Sequence, residues 1–219
     1  MLNIAIDGPS GAGKSTISKM LAKKLGIIYL DTGAMYRAVA LYVSRKGVDV
    51  NDRDKVVPLL TEIEIEFRGE GDEKRIYLNG EDVSAAIREH AVSKMASDVS
   101  KIKEVRLFLV EQQRAIAKKN DVVLDGRDIT SFVLPDSKYK FFLTATPEER
   151  ARRRYEELKA KGSDISYETV LADVNDRDYN DTHRDFAPLV QTEDAVLIDS
   201  TDLSTDEVIE VILRYVNTH

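Results

Sequence analysis

Five short apolar runs divide this chain: Ile4 to Ile6, Ile27 to Leu30, Val122 to Leu124, Tyr139 to Leu143 and Ala195 to Ile198. None alternates between apolar and polar residues, and only Lys140 interrupts one of them. A strand with one wet face turns polar at every second residue, so such runs predict strands covered on both faces, as in a parallel sheet flanked by helices. The intervening segments carry helix punctuation. From Ser15, apolar residues recur at Ile17, Met20, Leu21 and Leu25, and Gly26 offers a left-handed stop. Thr146, Pro147, Glu148 and Glu149 read as a capping box with proline at the first helical position, and Ser204 to Glu207 repeat the box before the last helix. The fold class is α/β.

One region breaks this rhythm. Ile63, Ile65 and Phe67 alternate with Glu62, Glu64 and Glu66, the pattern of a strand with one solvated face. Arg75 to Leu78 follow, then Asn79 and Gly80, a strong two-residue hairpin signal. Roughly Thr61 to Arg88 is expected to form a small antiparallel β insertion beside the main sheet.

The 219 residues suffice for one sizeable core with an inserted subdomain. A net charge of -7 argues against non-specific binding to nucleic acid or anionic membranes, which needs a basic surface. Cysteine is absent, which removes disulfides, thiolate metal sites and cysteine nucleophiles together. No apolar run approaches the ~20 residues needed to cross a bilayer, and the first strand begins too near Met1 for a signal peptide. The expectation is a cytoplasmic protein without nucleic-acid or membrane partners.

Between the first strand and the first helix the sequence reads GPSGAGKST, which fits G-x-x-x-x-G-K-[ST]. In Gly8, Pro9, Ser10, Gly11, Ala12, Gly13, Lys14, Ser15 and Thr16, the glycines let backbone N–H groups turn toward phosphate oxygens, and the helix adds its positive end. Lys14 is expected to reach the β- and γ-phosphates, and the Ser15 hydroxyl to ligate Mg²⁺. Asp125, ending the Val122 to Leu124 run, is the natural second Mg²⁺ carboxylate. The chain therefore binds a nucleoside triphosphate.

A GTPase timer would carry D-x-x-G and N-K-x-D, and neither occurs. Motor and transporter ATPases bring longer chains and further signatures. Transfer to a small acceptor leads. An anionic acceptor calls for arginine, whose planar fork pairs two oxygens and stays charged. Three arginine segments stand out: Asp31 to Arg37 after the second strand, Asp125 to Asp128 after the third, and Asp176 to Arg184. The first two sit where open parallel sheets bind ligands. The third, by itself, reads as a solvated helix end laced with i,i+4 pairs.

With GPSGAGKST, LDTGAMYR, the β-rich insertion, DGRD and RDYNDTHR before APL, the chain resembles the nucleoside monophosphate kinases, and within them the bacterial cytidylate kinases, over essentially its whole length. The resemblance implies a five-stranded parallel P-loop core (about 1–60, 104–149 and 185–219), a monophosphate-binding insertion (about 61–103) and a helical lid (about 150–184). It implies ATP as donor, CMP and dCMP as acceptors, and Thr32, Arg37 and Arg127 facing the acceptor phosphate. Tyr36 would help hold the nucleotide. Arg177, Asp181 and Arg184 would contact its sugar and phosphate, and Ser97, Arg106 and Asp128 would read the base. Without the resemblance, Ser97 and Arg106 read as ordinary helix surface. Bacterial members commonly have glycine where this chain has Ser15, so Ser15 departs toward the standard motif.

The base assignment has a chemical reading. Asp128 and the Ser97 hydroxyl can accept from the cytosine amine, while Arg106 can donate to the N3 and O2 edge. Uracil reverses the donors at N3 and C4. Because the acceptor is already an anion, no general base is needed. Catalysis is expected from positioning and charge neutralisation by Lys14, Arg127, Mg²⁺ and lid arginines, with Arg150, Arg153 and Arg154 on one helical turn as candidates. Another monophosphate kinase, a P-loop switch protein and a hydroxyl kinase with Asp128 as base remain open on sequence. A lid that must move favours a monomer. His90, His183 and His219 have no mutual metal spacing.

Overall fold

Ile4, Ala5 and Ile6 are fully buried at the centre of a five-stranded sheet. They belong to β1 (Asn3–Asp7) in a computed structural model that describes residues 1–69 and 74–218. The other strands are β2 (Ile28–Asp31), β6 (Val122–Gly126), β7 (Tyr139–Thr144) and β8 (Val196–Asp199), in the order β2-β6-β1-β7-β8. Each expected apolar run forms a strand. β1 pairs in parallel with β6 on one side and β7 on the other, and β7 pairs in parallel with β8. The register sets Ile6 beside Asp125 and Asp7 beside Gly126, so the start of the glycine-rich loop and the end of β6 leave the sheet together.

The chain divides into two compact units, residues 1–30 with 117–219, and residues 31–116. In the first, α1 (Lys14–Leu25) and α8 (Thr205–Thr218) cover the sheet. Their Ile17, Leu21, Val208, Ile209 and Ile212 share one core with Ile4, Ile6, Val123, Phe141 and Leu143. α1 ends at Gly26 in the left-handed conformation. α6 (Pro147–Ala160) and α7 (Tyr167–His183) form a separate helical hairpin, closed by Ala151, Val170 and Val174.

The box before α8 is complete, since Ser204 N–H donates to Glu207 (2.8 Å) and Glu207 N–H to Ser204 Oγ (3.3 Å). The box before α6 is half made. Thr146 Oγ1 accepts from Glu149 N–H, but the Glu149 carboxylate turns to Arg152 and Arg153 (both 2.8 Å). Two guanidinium groups outcompete one backbone N–H for a carboxylate, and Thr146 N–H donates to Thr201 Oγ1 instead.

The second unit contains α2 (Thr32–Arg45), α3 (Arg53–Leu59), α4 (His90–Val99) and α5 (Lys103–Ala117) around a three-stranded antiparallel sheet. Its strands are β3 (Ile65–Arg68), β4 (Arg75–Leu78) and β5 (Glu81–Asp82). Asn79 and Gly80 both take positive φ between paired Leu78 and Glu81, the type of turn their sequence predicts. Residues 70–73 of the expected insertion, and His219, lie outside the described residues. Among the described residues, no helix is long and apolar enough to cross a membrane.

Candidate active site

The glycine-rich loop runs from β1 into α1, and its conformation depends on glycine. Gly8 has φ +150, and a Cβ there would lie 1.9 Å from the Leu143 carbonyl oxygen. Gly13, also at positive φ, precedes α1 without a side-chain cap, so the first N–H groups of α1 are not claimed by a neighbouring hydroxyl or carboxylate. Such a helix end suits an anion. Lys14 is buried, and its Nζ donates to the Pro9 carbonyl at 2.6 Å. Burial, reinforced by nearby Arg127, pushes the Lys14 ammonium down to about 7.

Ser15 Oγ donates to Asp125 Oδ2 at 2.8 Å, and Tyr29 Oη donates to the other oxygen, Oδ1, at 2.9 Å. A hydroxyl and a carboxylate of this kind form a hard oxygen donor set that fits Mg²⁺. Tyr29 was not legible as a site residue, because nothing in a strand tyrosine marks the carboxylate it holds.

Beyond Asp125 the chain places Arg127 and Asp128. Arg127 Nε donates to Asp181 Oδ2 at 2.6 Å, while Arg184 Nη1 faces Asp181 Oδ1 at 3.6 Å and its Nη2 faces Asp128 Oδ1 at 3.9 Å. Burial would lower the Arg127 guanidinium, but Asp181 overrides it and holds the group above its ordinary value. Burial likewise would raise Asp181, and Arg127 overrides it downward. Arg177 is pushed down by burial, with Arg127 and Arg154 adding repulsion. The Asp176 to Arg184 segment, which alone reads as a solvated helix end, is thus tied into a buried charge cluster with the end of β6.

The three α6 arginines diverge. Arg150 is buried, donating to the Ala145 carbonyl (2.9 Å), to the Ser10 carbonyl in the glycine-rich loop (2.9 Å) and to Asp178 (2.6 Å). A Cβ on Gly11 would meet Arg150 Cβ at 3.0 Å, so Gly11 lets α6 approach the loop. Arg153 donates to Glu149, to Ser200 Oγ and to the Ser200 carbonyl, and Arg154 pairs with Glu157. Ala12 is buried, and Thr16 lies exposed beside Ser15 on α1.

The remaining candidates cluster within the second unit. Asp31 caps α2 by accepting from Ala34 N–H (2.8 Å) and also takes Arg37 Nη2 at 3.2 Å. Arg37 Nε is buried without a hydrogen-bond partner, which leaves it donor capacity for an anion. Gly33 makes room, since a Cβ there would meet Arg37 Nη1 at 3.0 Å. Thr32 is buried at the start of the same helix. Arg106 is 2% exposed, which corrects its reading as helix surface. It donates to the Ser100 carbonyl (3.2 Å) and lies 5.3 Å from the Tyr36 ring centroid. Ser97 is half-buried on α4, and its carbonyl accepts from Ser100 Oγ, so Ser97, Ser100, Arg106 and Tyr36 form one connected group.

His183 stacks on Tyr179 and makes a hydrogen bond to the Tyr179 carbonyl. Among the described residues, no group of three or more His, Cys, Asp and Glu could hold a metal ion.

Comparison with known proteins gives the family of the chain. The family model described as cytidylate kinase matches residues 4–218. A cytidylate kinase of Caldicellulosiruptor bescii is 53% identical over 97% of this chain and 94% of its own length. One of Clostridioides difficile is 50% identical over 99% and 98%. Among solved structures, an uncharacterized protein from Eubacterium ventriosum superposes with a TM-score of 0.56 at 14% identity, covering 100% of both chains, a likeness of fold alone.

Proposed function

The chain belongs to the cytidylate kinase family, and from that membership we propose how its own residues carry the reaction. The protein is a (d)CMP kinase: it transfers the terminal phosphoryl group of ATP to CMP and dCMP, yielding CDP and dCDP. The other acceptors considered on sequence, and a switch role, give way to this assignment. The observation that carries the mechanism is the meeting, within one unit, of the glycine-rich loop, the Ser15–Asp125 pair and the Arg127–Asp181–Arg184 cluster.

Residues 8–16 hold the triphosphate, with loop and α1 N–H groups on its oxygens and Lys14 at the β- and γ-phosphates. The anion restores the Lys14 proton that burial weakens. Ser15 and Asp125 would hold Mg²⁺, which supplies charge neutralisation on the triphosphate when bound. Thr32, Arg37 and Arg127 take the acceptor phosphate and Tyr36 the nucleotide. Arg177, Asp181 and Arg184 contact its sugar and phosphate, and Ser97, Arg106 and Asp128 read the cytosine edge. The acceptor oxygen attacks in line without a base, because it is already ionised. Arg127, Arg150 and Arg153 neutralise the moving group, Arg150 and Arg153 by exchanging Asp178 and Glu149 for phosphoryl oxygens as the lid moves.

The α6–α7 hairpin, about 150–184, is the lid, and about 61–103 is the monophosphate-binding insertion. The rest is the core. Closure excludes water; a high ATPase rate without acceptor would count against it. The protein is read as a cytoplasmic monomer without nucleic-acid or membrane partners. The test is ADP release from Mg-ATP, coupled to a dehydrogenase, across CMP, dCMP, UMP, AMP, GMP, dTMP and no acceptor. Fast turnover with CMP and dCMP alone is expected. Turnover with another monophosphate would discard the base-reading residues.

A further inference from the structure

Asp7, the last residue of β1, is fully buried, and its side-chain carboxylate accepts from one short segment. Its Oδ1 accepts from Ile129 N–H (2.9 Å). Its Oδ2 accepts from Thr130 N–H and from the Thr130 hydroxyl (both 2.7 Å). That segment is a single π-type turn, Ile129–Val133, whose first N–H groups have no partner inside the turn. Ordinarily the residue before such a turn caps it with its own side chain. Here that residue is Asp128, and its side chain makes no capping bond. The cap comes instead from Asp7, more than a hundred residues away in sequence and on the neighbouring strand.

The consequence is a division of labour between two carboxylates. Asp7 satisfies the turn, so the Asp128 side chain is not drawn back onto its own backbone and faces Arg184. The Asp128 carbonyl, which shares a peptide plane with Ile129 N–H, accepts from Phe132 and Val133 N–H (both 2.9 Å), so that peptide is fixed through both its groups. With Gly126 paired to β1 before it and this peptide fixed after it, the Arg127–Asp128 step is held at both ends. A buried charge is a cost to the fold unless fully hydrogen-bonded. Asp7 remains costly even so: burial raises its carboxyl to about 6 despite its donors, and Asp128 adds repulsion. Its position, one residue before Gly8 and in register with Gly126, ties the turn to the strand that opens the phosphate loop.

We propose that Asp7 is a positioning residue for the acceptor nucleotide, capping the 129–133 turn so that Arg127 and Asp128 are presented to it. This rests on the reading of Arg127 and Asp128 given above.

The test compares T130V, T130S and D7N with D128A in the full-length enzyme. T130V removes one donor to Asp7 at nearly constant volume, and T130S restores it. T130V is expected to raise the KM for CMP about tenfold and to narrow the CMP-over-UMP ratio of kcat/KM. The KM for ATP should move less than twofold, and T130S should return both readouts toward wild type. D7N should act in the same direction and more strongly. A T130V effect shared equally by ATP and CMP, or confined to the melting temperature, overturns the proposal. So does a flat T130V beside a D128A that loses CMP binding. A D128A with unchanged CMP kinetics refutes the acceptor role of Asp128 and the proposal with it.

Discussion

Arg127 and Arg184 share one carboxylate: Asp181 accepts from Arg127 Nε at 2.6 Å on one oxygen and faces Arg184 Nη1 at 3.6 Å on the other. Removing its charge leaves two largely buried guanidinium groups without their common counter-ion, the most costly way to break a buried network. D181N should lower kcat/KM for CMP by about 100-fold, with a smaller change in the KM for ATP. Because Arg127 holds Asp181 below its ordinary value against the opposing effect of burial, the stability it contributes is present above about pH 4 and lost as pH falls further. Denaturation of D181N and wild type should therefore differ most near neutral pH and converge in acid. A constant difference down to pH 3 would contradict the assignment.

Lys14 makes the opposite trade. Its folded value, about 7, lies below the unfolded one, so the unfolded chain binds more protons between pH 7 and about 10. Wild-type stability should rise across that window relative to K14M, which lacks the group. K14M should lose about 10³-fold or more in kcat while its nucleotide-free melting temperature at pH 7 stays level or rises. A clear drop in that temperature would show that the Pro9 contact outweighs the cost of burial.

Gly8 is fixed by sterics from two directions, its φ of +150 and the Leu143 carbonyl 1.9 Å from any Cβ. G8A should either unfold the start of the loop or displace β7, costing several kcal/mol. Chemical denaturation together with ATP binding checks this. Near-wild-type values for both would mean that the loop has a second accessible conformation.

Ser15 and Asp125 predict a metal phenotype. S15A should raise the Mg²⁺ concentration for half-maximal activity roughly tenfold, and S15T should preserve it. A Mg²⁺ titration at fixed ATP and CMP decides, and an unchanged midpoint in S15A would remove Ser15 from the metal site.

Much of the architecture was legible because its causes are local. The apolar runs became strands at their expected places, Asn79 and Gly80 turned the hairpin, and Ser204 with Glu207 closed its box. The burial of Arg106 was not legible: its helix offers no periodic reason to bury an arginine, and the Tyr36 ring and Ser100 carbonyl that receive it come from other segments. Asp7 left no readable mark, since an aspartate ending a strand is common and its partners lie 122 and 123 positions away. Glu149 was half legible. Its N–H follows the capping rule, while its carboxylate obeys Arg152 and Arg153.

By itself the sequence determined the strand, loop and helix that cradle phosphate, the order of the βα units and the antiparallel insertion. These follow from side-chain periodicity, turn stereochemistry and glycine sterics, all acting over a few residues. Which donor each carboxylate meets was decided only in three dimensions: the Ser15 hydroxyl with Asp125 across 110 positions, Arg127 with Asp181 across 54, Arg150 with Asp178 across 28. The chain carries 39 carboxylates and 32 lysines and arginines. Charge is non-directional at a distance, so composition permits many pairings, and only the parallel register and the packing of α6 on α7 select among them.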